Sequence, residues 1–184
     1  MTRDSAYTIL TKHVKNQSLL RHSLAAEAAM RTLAVKLGGD IEIWGVTGLL
    51  HDADYEKAKG HPEDHGLLLF KLEPNTIPTI IEHAISSHNY KYTQVLPASL
   101  LDWAITCCDE LTGLIVAATL ISKEKKLAGI TAEFVMKKMK EKNFAKGAER
   151  EPIYFCEEKL GIPLQEFVSI VLHAMQQIAP QLGL

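Results

Sequence analysis

Eight histidines stand in a chain of 184 residues, and five of them (His22, His51, His61, His65 and His88) fall beside acids, turns or expected helix ends. Imidazole and carboxylate are the donors of zinc, iron, manganese and nickel sites. The sharpest pairing is His51-Asp52, which closes an apolar segment running from Ile41 through Trp44, Val46, Leu49 and Leu50. Burying a carboxylate beside an imidazole costs several kcal/mol unless something compensates, and a divalent cation compensates both at once. A metal ion at the end of this segment is therefore physically reasonable.

Other polar residues have surroundings that call for a partner. His22 lies in the middle of a long amphipathic segment, and Asp109 lies in the apolar stretch from Leu100 to Ile121, within Cys107-Cys108-Asp109-Glu110. A charged residue in so apolar a helix needs a solvent face or a counterpart. Asp102 and Asp109 share a helical face, which is expected to look into the site. Glu110 reads as a helix-surface acid, His83 as a helix-face residue without a ligand role, and His13 and His173 as surface or core residues.

The elements that must position these groups all read as helices. Leu19, Leu24, Ala28, Leu33 and Leu37 recur at helical spacing after a cap at Ser18, and Gly38-Gly39 stops the segment. Further helices are expected at about 63–72, 77–88, 98–122, 131–141, 152–160 and 163–180, separated by Gly60, Pro74, Pro97, Gly129, Gly147, Gly161 and Pro163. Only Tyr90 to Val95 offers a faint strand pattern, and there is no internal repeat. The expected fold is all-α: one domain over residues 1–184, with a core of about 15–125 and a C-terminal helical extension of about 126–184.

Composition narrows the function classes. The net charge of -2 provides no global basic field for nucleic acid, although nine basic and four acidic residues lie between Lys123 and Arg150. That stretch reads as a solvated face or as a positive surface for an anion. Three cysteines form neither a disulfide ladder nor a zinc spacing, so a reducing cytoplasm is the expected home. No leader pattern opens the chain, and polar residues are expected to break every apolar run before the length of a membrane span.

The order His22, His51-Asp52, Asp109 resembles the H…HD…D signature of the HD superfamily of metal-dependent phosphohydrolases. The strings LLRHSLAAEAAMRTLAVKLG, WGVTGLLHDADYEK, ISSHNY, CCDELTGLIVAATLI and FAKGAERE are similar, nearly end to end, to a small bacterial group of predicted HD-superfamily hydrolases. The resemblance implies a single HD-type helical domain in which His22, His51, Asp52 and Asp109 hold one divalent ion (Mn, Fe, Ni, Co, Zn or Mg). Two-metal members add histidines after the HD pair. His61, in His61-Pro62 before Gly66, and His88 match those places, and His65 competes with His61 because the spacing to Gly66 is loose.

The implied chemistry is hydrolysis of a small phosphorylated substrate, a nucleotide or simple phosphate ester, by metal-activated water. Asp52 would bridge or orient that water, and Asp54 would hold a ligand in place. Arg21, Lys57, Lys59, Lys91, Lys146 and Arg150 are the candidate phosphate contacts, with Arg21, Lys146 and Arg150 foremost. Arg21 and His22, adjacent on a helix, diverge by about 100 degrees. No membrane and no large nucleic-acid surface is implied, while self-association into a homo-oligomer is compatible. The rival readings are a nucleotide- or metal-binding regulatory module without turnover and a di-iron oxygenase of HD type.

Overall fold

Helices begin in this chain where a side chain can accept the amides that a first turn leaves without partners. The computed structural model describes residues 1–184 and contains eleven α-helices and no strands. Thr2 caps α1 (Arg3–His13), Asn16 caps α2 (Gln17–Leu37) and Asp40 caps α3 (Ile41–Leu50). Ser18, the expected cap of α2, lies inside the helix instead. Its amide donates to the Asn16 carboxamide oxygen at 2.8 Å. Gly38, at φ 72°, closes α2 in the left-handed conformation that glycine adopts without a Cβ clash.

The segment after α3 departs from expectation. In place of a helix over 63–72, residues 51–67 form a run of turns, and only α4 (Leu68–Leu72) is helical. The cause is Asp54, whose buried carboxylate accepts the amides of Gly66 and Leu69 and so organises the turns around itself. Helix α5 (Thr79–His88) follows, and the faint strand at Tyr90–Val95 is instead a short helix, α6 (Tyr90–Thr93), stopped at Gln94 with φ 61°.

Helix α7 (Leu100–Ile121) starts in a capping box: Ser99 accepts the Asp102 amide, and Asp102 accepts the amides of Ala98 and Ser99 at 2.9 Å each. Asp102 also lies 3.1 Å from His83. Its carboxylate is committed to the helix start, so the expectation that it looks into the site with Asp109 is not met. By length and composition α7 is apolar enough to cross a bilayer, contrary to the sequence expectation. Here it is packed against α2 and α5, with 61% of its most apolar stretch buried inside the protein. A 3-10 turn at Leu127–Gly129 leads to α8 (Ala132–Met139), α9 (Glu151–Leu160), α10 (Leu164–Gln177) and α11 (Ala179–Leu182).

Two apolar clusters result. The larger joins α2 and α7 to the C-terminal helices through Met30, Leu33, Leu111, Leu114, Phe167, Val168 and Met175. The smaller packs α1, α3 and α5 through Leu10, Val46, Leu49, Leu50, Ile81 and Ile85. Trp44 belongs to the first and Val46 to the second, so α3 lies at the seam and its C-terminal end opens between them. Helices α2 and α3 approach backbone to backbone at Gly48, where an added Cβ would stand 2.6 Å from the Ala26 carbonyl oxygen. That contact sets the spacing between the helix carrying His22 and the helix ending at His51. Gly48→Ala must push the two apart, and we expect a loss of about 1 to 3 kcal/mol of stability, read as a lowered Tm. An unchanged Tm would show that the contact is not tight.

Candidate metal centre

Five elements send a donor to one buried point. His22 comes from the second turn of α2, His51 from the end of α3 with Asp52 directly after it, His65 from the turns ordered by Asp54, His88 from the last position of α5 and Asp109 from the middle of α7. The donor atoms of His22, His51, Asp52 and Asp109 all lie within 4.8 Å of one another, and so do those of Asp52, His65 and His88. Asp52 belongs to both sets.

The tautomers are fixed from behind. His51 Nδ1 donates to the Gly48 carbonyl at 2.8 Å, and His88 Nδ1 donates to the Ile85 carbonyl at 2.5 Å. His65 Nδ1 donates to Asp54 at 2.8 Å. His22 Nδ1 donates to the Thr112 hydroxyl at 3.2 Å, which in turn donates to the Asp109 carbonyl at 2.8 Å. Every Nε2 therefore faces inward. The Nε2 atoms of His22 and His51 are 3.1 Å apart, and those of His65 and His88 are also 3.1 Å apart. Opposed lone pairs at that distance repel unless a proton or a cation lies among them.

The carboxylates complete the arrangement. Asp109 Oδ1 lies 2.8 Å from His22 Nε2 and 3.3 Å from His51 Nε2. Asp52 lies 3.4 Å from His22, 3.6 Å from His51 and 3.2 Å from His65. Donors bound about 2.0 to 2.2 Å from one divalent ion stand about 3 to 3.5 Å from each other, so these separations match the edges of a coordination shell. The residues fit a metal ion, and the second set fits another.

The electrostatics point the same way. Burial opposes protonation of His51 and His65, yet the carboxylates outweigh it: Asp52 and Asp109 push His51 up to about 9, and Asp52 and Asp54 push His65 up to about 10. His22 shifts upward as well, against its burial, through Asp109. Burial together with the neighbouring His65 and His51 lowers His88 to about 4. Burial works to raise Asp52 and Asp109, but the surrounding imidazoles hold both below the usual carboxylate range. The centre demands positive charge, for which protons and a metal ion compete on the same nitrogens.

His61 is not part of this centre. Its ring is 69% exposed beside Glu63, and His65 takes the place foreseen for it, because the Asp54 turns aim His65 inward and leave His61 on the rim. Of the expected phosphate contacts, Lys59 lines the cavity that His65 also lines and Lys91 lines the cleft that reaches His88 and Asp109, while the others lie apart or are engaged by the protein itself. The Arg21 guanidinium is exposed and lies against Gly183 near the C-terminus. Arg150 clasps its own loop, donating to the carbonyls of Phe144, Ala145 and Ala148. Lys146 lines a separate open groove with Lys140, Lys142 and Tyr154. Lys57 is bonded to His13, and Lys91 to Glu149 and Glu151. Asp54, for its part, bonds the His65 ring at 2.8 Å.

Glu110, expected as a helix-surface acid, is instead partly enclosed. Its half-buried carboxylate accepts the Glu149 amide at 2.9 Å, and burial with the adjacent Asp109 raises it to about 7. It lines two clefts that reach His22, His88 and Asp109 beneath the 145–152 segment. The signal available in the sequence was its place beside Asp109 on an apolar helix.

A family model for the HD domain matches residues 19–114, just over half of the chain and all six donors. The chain belongs to the HD superfamily. No curated protein and no solved structure matches it. HD domains are generally metal-dependent hydrolases, and the cluster of this HD domain could hold a metal ion.

Two outcomes follow for the metal centre. His65→Ala should lower the bound metal per chain while His61→Ala leaves it unchanged, as measured by elemental analysis of dialysed protein; the reverse order would return His61 to the site. In chelated protein, His51 and His65 titrate above the unfolded value of about 6.5. Their stabilisation is complete below that pH and is lost as pH rises through about 9 and 10. Calorimetry should show the Tm of chelated protein falling from pH 6.5 to 9.5 more steeply than that of metal-loaded protein, and parallel curves would contradict the assignment.

Proposed function

We propose that this HD domain is a metal-dependent phosphohydrolase that acts on a nucleotide or small phosphate ester. The observation that carries the reading is the convergence of four inward-facing imidazoles and two carboxylates, with Asp52 common to two donor sets. A divalent ion bound there supplies a polarised phosphoryl oxygen and a water of lowered pKa. Four imidazoles favour Mn, Fe, Co, Ni or Zn over Mg, whose sites are built from oxygen. His22, His51, Asp52 and Asp109 form one ligand set, and Asp52, His65 and His88 form the second. Asp54 and Thr112 position the rings of His65 and His22. The three buried, unpaired thiols suit a reducing compartment such as the cytoplasm.

One observation favours a second reading. A di-iron oxygenase needs the full histidine-rich set, and His65 and His88 supply it at 3.2 and 3.8 Å from Asp52. Iron-dependent visible absorbance that changes with oxygen would select it.

The test pairs metal content with turnover on one preparation of each variant. Asp52→Ala should lose both bound metal and hydrolysis of a phosphomonoester panel assayed with Mn, Co, Ni and Mg, because its removal leaves the imidazoles without their shared carboxylate. A fully active, metal-free Asp52→Ala protein would refute the mechanism.

A further inference from the structure

We propose that Lys57 is a modification site: an amine that His13 and Glu73 prepare to accept an acyl group from an activated donor, an acyl phosphate or an acyl thioester. None of the three residues belongs to either metal-donor set, so the inference stands apart from the phosphohydrolase reading.

The three side chains form a line of bonds. Lys57 Nζ lies 2.7 Å from His13 Nδ1, and His13 Nε2 lies 2.6 Å from Glu73 Oε1. An ammonium only donates and a carboxylate only accepts, which settles the tautomer of the ring between them. His13 accepts from Lys57 at Nδ1 and donates to Glu73 from Nε2. A nucleophile, an imidazole whose lone pair meets it, and a carboxylate behind the imidazole are together the parts of an activated nucleophile.

Each member has the exposure that its part needs. His13 closes α1 and is 6% exposed, Glu73 is half-buried at the end of α4, and Lys57 stands at the surface. The backbone at Lys57 is held in place. Its amide donates to the Asp54 carbonyl at 2.9 Å, and the carboxylate of the adjacent Glu56 accepts the Lys15 and Asn16 amides just beyond α1.

Charge favours the transfer of a proton along this line. The partner of the Lys57 ammonium is an imidazole and not a carboxylate, so no ion pair locks its proton in place. Glu73 is shared by Lys12, at 2.6 Å, and by His13, and their hydrogen bonds hold it below the usual carboxylate range. An ionised Glu73 stabilises the imidazolium that forms when the ring takes a proton from Lys57. Lys12 is the built-in contrast, because it reaches the same carboxylate with no imidazole between.

The step needs no oxidant or reductant. His13 takes a proton from the ammonium, and the freed amine attacks the acyl carbon. The C–N bond forms as the C–O bond to phosphate, or the C–S bond to the thiol, breaks with its electron pair on the leaving group. The nitrogen gives a second proton to that leaving group, and His13 returns the first to solvent. The product is a neutral amide at Lys57.

The test treats the full chain with acetyl phosphate in one arm and acetyl coenzyme A in the other, and follows acetylation of each lysine by peptide mass spectrometry. Lys57 should react at least about tenfold faster than the exposed Lys12 and Lys59, a conservative share of what a positioned general base contributes. His13→Gln should bring Lys57 down to the rate of Lys59, which itself stays unchanged. Glu73→Gln keeps the ring and should also slow Lys57 without affecting Lys59, with Glu73→Asp recovering part of the loss; this variant decides the matter should His13→Gln fail to fold. Enrichment at Lys57 in either arm supports the site and names the donor. A Lys57 that reacts no faster than Lys12 and Lys59 in both arms, or one whose advantage survives both His13→Gln and Glu73→Gln, would overturn it.

Discussion

Four imidazole nitrogens and two carboxylates crowd one largely enclosed space, and the rest of the structure is arranged around that constraint. His51 and Asp52 are almost fully enclosed, and the closest nitrogen pairs stand 3.1 Å apart. In such surroundings the cost of an unbalanced charge is several kcal/mol per group. The balance has to come from a cation, whether shared protons or a metal ion. Each backing bond serves this balance. The Gly48 and Ile85 carbonyls, Asp54 and Thr112 together hold the protons on Nδ1 and keep every Nε2 turned toward the centre.

The fold supplies rigidity where the centre needs it. The donors are separated by up to 87 residues in the chain, so their convergence depends on how α2, α3, α5 and α7 pack. At Gly48 two of these helices, α2 and α3, meet backbone to backbone. Because α3 lies at the seam of two apolar clusters, its end is held from both sides, and a polar pair can emerge there without loosening either core. Where the chain needs room, it uses turns. The Asp54 carboxylate organises the 51–67 run, brings His65 in and leaves Tyr55 and Lys59 beside an open cavity.

The parts of the site that were legible in the sequence are those announced by contrast. His51-Asp52 and Asp109 stand out because they interrupt apolar segments, and His22 follows from the order of the HD signature. The helices read well for the same reason, since their apolar periodicity is long. What was not legible depends on bonds between distant residues. The choice of His65 over His61 is made by Asp54, which gathers amides 12 and 15 residues away, and no local pattern encodes that. The cap at Asn16 outcompetes Ser18 because its carboxamide reaches two amides at once. Arg150 looked available for phosphate, yet its guanidinium satisfies three carbonyls of its own loop, and Asp102 is claimed by the start of α7.

The central claim is that this cluster holds cations and that Asp52 is shared between them. Diffraction from crystals of the Mn- or Zn-loaded protein, recorded on either side of the metal absorption edge, locates bound ions without reference to activity. The account predicts two anomalous peaks about 3.5 to 4 Å apart, one among His22, His51 and Asp109, the other against His65 and His88, with Asp52 between them. A protein that takes up metal but places it away from these six residues, or that shows no peak at saturating metal, would contradict it.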